Sequence, residues 1–197
     1  MTLTADKIIR PVDAGRLLRT LKHEAEKSKL SGRDLRFVTD YYLIGITYNT
    51  GIRISEASAL NWGNVQEGSL TVINGKGGKS RSVYFGPVTQ ALFREFRDFK
   101  AGNISGAGGA DHPVFTGKKG RLSSTQIHRR FKAWSERCGI NPKISFHSLR
   151  HGYATRLLDE GVALSTVRDL LGHSNISITS TYLHFTEKAK ERVLAIT

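Results

Sequence analysis

Leu70-Thr71-Val72-Ile73, Asn74-Gly75-Lys76-Gly77-Gly78-Lys79 and Ser82-Val83-Tyr84-Phe85 decide how the chain is read. The outer runs are rich in β-branched and aromatic residues, the composition of strands. The segment between them carries Gly75, Gly77 and Gly78, which supply the positive φ that tight reversals need, so the whole reads as an antiparallel hairpin. On both sides of it the apolar period is helical. Val12–Lys27 carries Leu17, Leu18 and Leu21 among basic residues. Leu35–Tyr48 is more apolar, hence more buried, and stops at Asn49-Thr50-Gly51, a C-terminal cap. A short helix follows from Ile54 to about Leu60. Beyond the hairpin come Val88–Phe99 and a helix to about Cys138 opened by the capping box Ser123-Ser124-Thr125-Gln126. His147–Asp159 is closed by Gly161, Leu164–Leu171 is closed by Gly172, and a last helix carries Ala189, Val193 and Ile196 on one stripe. The expected architecture is mainly α with a small antiparallel β-sheet (α+β), in one domain.

Composition narrows the partner. With 197 residues, 39% of them hydrophobic, the chain can bury one sizeable core. Thirty Lys and Arg against 17 Asp and Glu leave a net charge of +13, which favours a polyanion or an anionic membrane. The longest apolar stretch, Tyr41 to Ile46, is far too short to span a bilayer, and Met1 to Asp6 has no signal pattern. Cys138 is the single cysteine, so no internal disulfide can form and a reducing compartment fits. Nucleic acid is therefore the expected partner, and no membrane.

Three local patterns bear on chemistry. The glycine-rich run Ala101–Ala110 lacks the spacing and strand–turn–helix setting of a phosphate loop, and reads as a connector. His147 and His151 have a spacing that zinc enzymes use, but they flank Arg150, whose guanidinium would repel a cation, and no Glu stands beside the first His. The same segment suits an anion. His147 and Arg150, three apart, share a helix face; Arg offers a planar fork of donors for phosphate oxygens, and His exchanges a proton near neutrality. Alone, such a pair is more often a solvated helix face.

The surrounding boxes change that balance. Thr50–Leu60 (TGIRISEASAL), Gly75–Arg81 (GKGGKSR), His147–Thr155 (HSLRHGYAT), Leu170–His173 (LLGH) and Thr181–His184 (TYLH) occur in this order. Together they resemble the arginine boxes, hairpin lysine, Gly-His and nucleophile tyrosine of the tyrosine recombinase (phage-type integrase) family, and the resemblance runs from about Ile9 to the end. It implies a catalytic domain in which Tyr182 attacks a scissile phosphate to give a 3′-phosphotyrosine and a free 5′-hydroxyl. Arg53 and Arg150 would grip the non-bridging oxygens, Lys76 would protonate the leaving oxygen, His147 would handle the tyrosine proton, and His173 would bond the phosphate. Glu56 would hold Arg53 in place. Lys79, Arg81, Lys118, Lys119, Arg129 and Arg130 are expected to contact the DNA backbone, their alternative being a solvated basic surface.

Elementary chemistry agrees with that division. A phenol has a pKa of about 10, so it needs a base or a strong field to attack at neutral pH. The phosphodiester gathers negative charge in its transition state, where fixed cations act best. Exchanging one phosphoester for another conserves bond energy, so no ATP, metal or other cofactor is expected.

The resemblance also implies double-stranded DNA as partner and a homo-tetramer on DNA, with a monomer allowed without it. The helix at 186–197 would be exchanged between subunits, its alternative being to fold back onto its own domain. A cytoplasmic, nucleoid-associated protein of prokaryotic, phage or mobile-element origin is expected. The helical core-binding domain usual before the catalytic one is expected to be absent. Gly152 departs from the small hydroxyl residue common there, a change expected to matter little. The alternatives are a type IB topoisomerase, which usually carries Lys where His147 stands, and a non-catalytic DNA-binding protein on the same fold.

Overall fold

The computed structural model describes residues 4–73, 80–103 and 109–172. Helix α1, Pro11–Ser31, starts at a proline whose missing N–H costs a first helical turn nothing, and ends at Gly32 with φ +64°. It buries Leu17, Leu21 and Ala25, one turn apart, against α2, Arg36–Thr50. Helix α2 is buried almost all round, with Tyr42, Leu43, Ile44 and Ile46 each 1% exposed or less. Such a helix is the central post of a domain. Each Leu or Ile so buried stabilises the fold by about 1.5–3 kcal/mol relative to exposure.

What ends α2 shapes everything after it. Gly51 adopts φ +64° and donates its N–H to the Thr47 carbonyl at 2.9 Å. The ring of Tyr153 lies where a Cβ on Gly51 would be. Gly51→Ala is expected to destabilise the protein by about 2–3 kcal/mol, combining left-handed strain with displacement of that ring. Urea unfolding measures this, and an unshifted midpoint would show that the turn relaxes freely.

Helix α3, Ile54–Ala59, leads into an antiparallel sheet of β1, Val65–Gln66, β2, Ser69–Ile73, and β3, Ser80–Tyr84. The register pairs Leu70 with Val83 and Val72 with Arg81. Side chains alternate across a strand, so Val83 and Arg81 turn to the buried face while Ser82 and Tyr84 turn out. The hairpin turn read at Asn74–Lys79 lies outside the described residues.

Helix α4, Pro87–Asn103, presents Leu92, Phe93, Phe96 and Lys100 inward. It runs to Asn103 and takes in the first residues of the run expected to be a connector from Ala101. The Phe96 ring stacks on Tyr42 at 4.7 Å and faces Phe115 at 5.9 Å, tying α4 to α2. Lys100 is buried, and its ammonium donates to the carbonyls of Pro113 and Val114 and to Thr116 Oγ1. Burial lowers its pKa to about 8.

A second small ladder, β4, Thr116–Gly117, with β5, Gly120–Arg121, precedes α5, Ser124–Arg137. The capping box is formed as expected: Gln126 N–H donates to Ser123 Oγ at 3.2 Å, and Ser123 N–H to Gln126 Oε1 at 2.9 Å. Helices α6, His147–Asp159, and α7, Leu164–Leu171, complete the described fold. Gly152 matters more than expected: a Cβ there would meet Ile9 Cγ2 at 2.9 Å and the Ile9 carbonyl at 3.3 Å. The fold is mainly helical with small antiparallel sheets, as the sequence reading anticipated.

Candidate active site

The end of α2, the start of α3, strand β3, the start of α6 and the end of α7 meet at one place. After the left-handed turn at Gly51 and buried Ile52, the backbone straightens at Arg53, which caps α3. Glu56, three residues on, reaches back with Oε2 to accept the Arg53 N–H at 2.7 Å, while Oε1 accepts from Arg53 Nη1 at 2.9 Å. The expected pairing of Arg53 with Glu56 is therefore present.

A second guanidinium shares that carboxylate. Arg81 Nη1 and Nη2 donate to Glu56 Oε1 and Oε2 at 2.7 and 2.9 Å. Burial alone would raise the Glu56 pKa, but the bonds from Arg81, then the Arg53 N–H and guanidinium, prevail and hold it at about 2. Two guanidiniums on one carboxylate leave a net positive charge.

Arg150 supplies the third. It is 1% exposed, and it links two helix ends, Nη1 donating to the Gly51 carbonyl at 2.8 Å and Nη2 to the Leu171 carbonyl at 2.5 Å. The last carbonyls of α7 thus receive all three arginines: Leu170 from Arg81 Nε at 3.4 Å, Leu171 from Arg150, and Gly172 from Arg53 Nη2 at 3.3 Å. The reason is general, since the final carbonyls of a helix lack intrahelical donors and carry the negative end of its dipole. Gly172, at φ +63°, lies under the Arg81 stem, whose Cδ would be 2.8 Å from a Cβ there.

His147 opens α6, and its ring meets His151 edge to face at 4.5 Å. By area the ring is exposed, yet the protein crowding it, then the charges of Arg150 and Arg53, lower its pKa. At neutral pH its neutral form dominates, the form that accepts a proton. Among the described residues no group of three or more His, Cys, Asp or Glu converges as metal ligands would. Lys76, Lys79, His173 and Tyr182 lie outside the described residues.

The residues expected on the DNA face divide. Lys118, Lys119 and Arg129 are exposed on the β4–β5 turn and on α5. Arg130 instead pairs with buried Asp40 at 3.2 Å, its side chain 18% exposed, and Trp134 Nε1 donates to the same carboxylate. Burial still raises the Asp40 pKa against both partners. Arg81 is likewise turned inward onto Glu56, its side chain 14% exposed. The alternation of β3 carried the signal for this, because Val83 inside requires Arg81 inside. A cleft of about 930 Å³ lies between the N-terminal end of α2, β4 and α5, with Arg36, Lys118 and Arg129 on its walls. It is at the far end of α2, a helix about 22 Å long, from the arginine cluster.

The phage integrase family matches residues 13–189. The chain belongs to that family. The match spans the arginine cluster and also the positions of Lys76, His173 and Tyr182. Among curated relatives, the tyrosine recombinase XerD of Corynebacterium glutamicum is 38% identical over 162 residues, 81% of this chain and 52% of that protein. A tyrosine recombinase of Pseudothermotoga lettingae is 32% identical over 168 residues, 84% of this chain and 56% of that one. The chain therefore spans about half the length of the curated relatives it matches. Among solved structures, the XerA recombinase superposes with a TM-score of 0.77 at 21% identity, covering 95% of this chain and 64% of that one. The XerH site-specific recombinase, solved bound to a palindromic difH substrate, gives 0.73 at 22%, covering 98% and 54%. At these identities the two structures establish the shared integrase fold.

Proposed function

We propose that this integrase-family chain cuts and rejoins double-stranded DNA as the catalytic part of a site-specific recombinase. The observation that carries the reading is the convergence of Arg53, Arg150 and His147 at the end of α7, one residue before His173. Preorganised guanidiniums suit a phosphoryl group that gains charge as it reacts. Tyr182 Oη attacks the phosphorus, the 5′-oxygen leaves with a proton from Lys76, and neutral His147 takes the proton of the phenol. Attack by a 5′-hydroxyl of a second strand reverses these transfers and releases the tyrosine. Both steps exchange one phosphoester for another, so neither consumes ATP. In this reading the enzyme works as a tetramer on DNA, with the segment at 186–197 exchanged between subunits.

Covalent trapping tests the chemistry and finds the target together. The chain is incubated with nicked duplexes randomised about the nick, SDS-resistant complexes are isolated, and their DNA ends are sequenced. Recovery of one sequence joined through its 3′-phosphate is the expected result. DNA retained without any covalent joint would mean a binding protein on a recombinase fold.

Lys118, Lys119 and Arg129 form the exposed basic set that we assign to the DNA backbone. Arg129→Ala is expected to weaken duplex binding alike for all sequences and to reduce the slope of log affinity against log salt by about one. Fluorescence anisotropy across a salt titration measures that slope, and an unchanged value would make Arg129 a solvated surface residue.

A further inference from the structure

Arg81 is built unlike a residue that waits for DNA. It stands opposite Val72 in the sheet register and shares the inward face with Val83. Both its terminal nitrogens are engaged by Glu56, its Nε reaches the Leu170 carbonyl, and its stem covers Gly172. The carboxylate it grips is the one that holds Arg53 by both main chain and side chain. One side chain thus ties the base of the hairpin to a phosphate-gripping arginine and to the helix end from which the chain continues into His173.

We propose that Arg81 is a positioning residue for strand transfer and not a contact of the DNA backbone. By gripping Glu56 at two points it fixes the carboxylate orientation that aims Arg53, and by capping α7 it fixes the end of that helix against the cluster. Without Arg81, Glu56 keeps only its bonds to Arg53 itself, and the carboxylate that aims the guanidinium loses its anchor on the sheet. The inference rests on the recombinase reading above.

The test uses the full chain with duplexes carrying the sequence recovered by covalent trapping. Single-turnover formation of the covalent complex at saturating protein is compared for wild type, Arg81→Gln, Arg81→Lys, Glu56→Gln and the double variant Arg81→Gln/Glu56→Gln. Arg81→Gln is expected to slow the step on the order of 10²-fold, as misaimed catalytic groups do. DNA affinity and its salt slope are expected to stay within about twofold of wild type, because no phosphate contact is lost. Arg81→Lys keeps the charge but not the two-point grip, so it is expected to recover less than about a tenth of the wild-type rate. The double variant is expected to be no slower than the slower single variant, since both act through one contact.

A wild-type rate in Arg81→Gln overturns the proposal, and so does a salt slope reduced by about one, which marks a phosphate contact. Rate losses that multiply in the double variant also overturn it. If Arg81→Gln fails to fold, as thermal unfolding would show, Arg81→Lys carries the test, and a wild-type rate there is decisive against it. A wild type that forms no covalent complex with any duplex of the pool overturns the recombinase reading, and this proposal with it.

Discussion

Tyr182→Phe is expected to abolish covalent attachment of DNA while leaving duplex affinity within about twofold of wild type. The substitution removes one oxygen and keeps the ring, so it deletes the proposed nucleophile with little change in size. Loss of the group proposed to form the covalent bond is expected to lower attachment on the order of 10³-fold or more. Wild type and variant are incubated with a nicked duplex carrying the trapped sequence, and SDS-resistant protein–DNA bands are quantified. A band of wild-type intensity in the variant would show that another residue attacks the phosphate. Added EDTA is expected to leave the wild-type band unchanged, since the proposed steps move protons between side chains and exchange one ester for another.

Arg150→Ala is expected to have the next largest effect, and on two quantities at once. Arg150 is among the largest fully buried side chains described, and it satisfies the carbonyls of Gly51 and Leu171. Truncation leaves both carbonyls without that donor, at about 1–3 kcal/mol each. It also removes a cation from the proposed phosphate site, worth about 10²–10³-fold in rate by analogy with a lost oxyanion donor. A lower melting temperature together with a slower single-turnover cleavage is therefore expected. Arg150→Lys separates the two roles: a compact ammonium lacks the planar fork that reaches the Gly51 and Leu171 carbonyls from opposite nitrogens while still facing a phosphate. It should stay folded and still cleave on the order of 10²-fold more slowly. Unchanged cleavage in the lysine variant would mean that Arg150 serves only to staple the two helices.

Much of the fold was readable because its signals are local. Helices α6 and α7 have the bounds that their apolar spacing and the glycines after them indicated. The capping box at Ser123 and Gln126 depends on residues three apart and forms as its spacing implied. Glu56 holding Arg53 is a contact of the same range. The extension of α4 to Asn103 was not readable, because Gly102 discourages a helix by its propensity alone. Packing of Phe96 and Lys100 in the preceding turns holds the helix there instead.

Residue order alone was enough for a basic, mainly helical chain with the β2–β3 hairpin, and for the arginines and histidines whose order resembles an integrase, but not for the short β1 strand or the β4–β5 ladder. Residue types and short-range spacing suffice for that. Where each cation points emerges only in the folded chain. Arg81 and Arg130, read as surface contacts, are turned inward onto Glu56 and Asp40, whereas Lys118, Lys119 and Arg129 stay exposed. Equally invisible in the sequence were the partners of Arg53, Arg81 and Arg150 at the end of α7. Those partners are main-chain carbonyls, which every residue carries alike, so only the meeting of a distant helix end with these side chains distinguishes them.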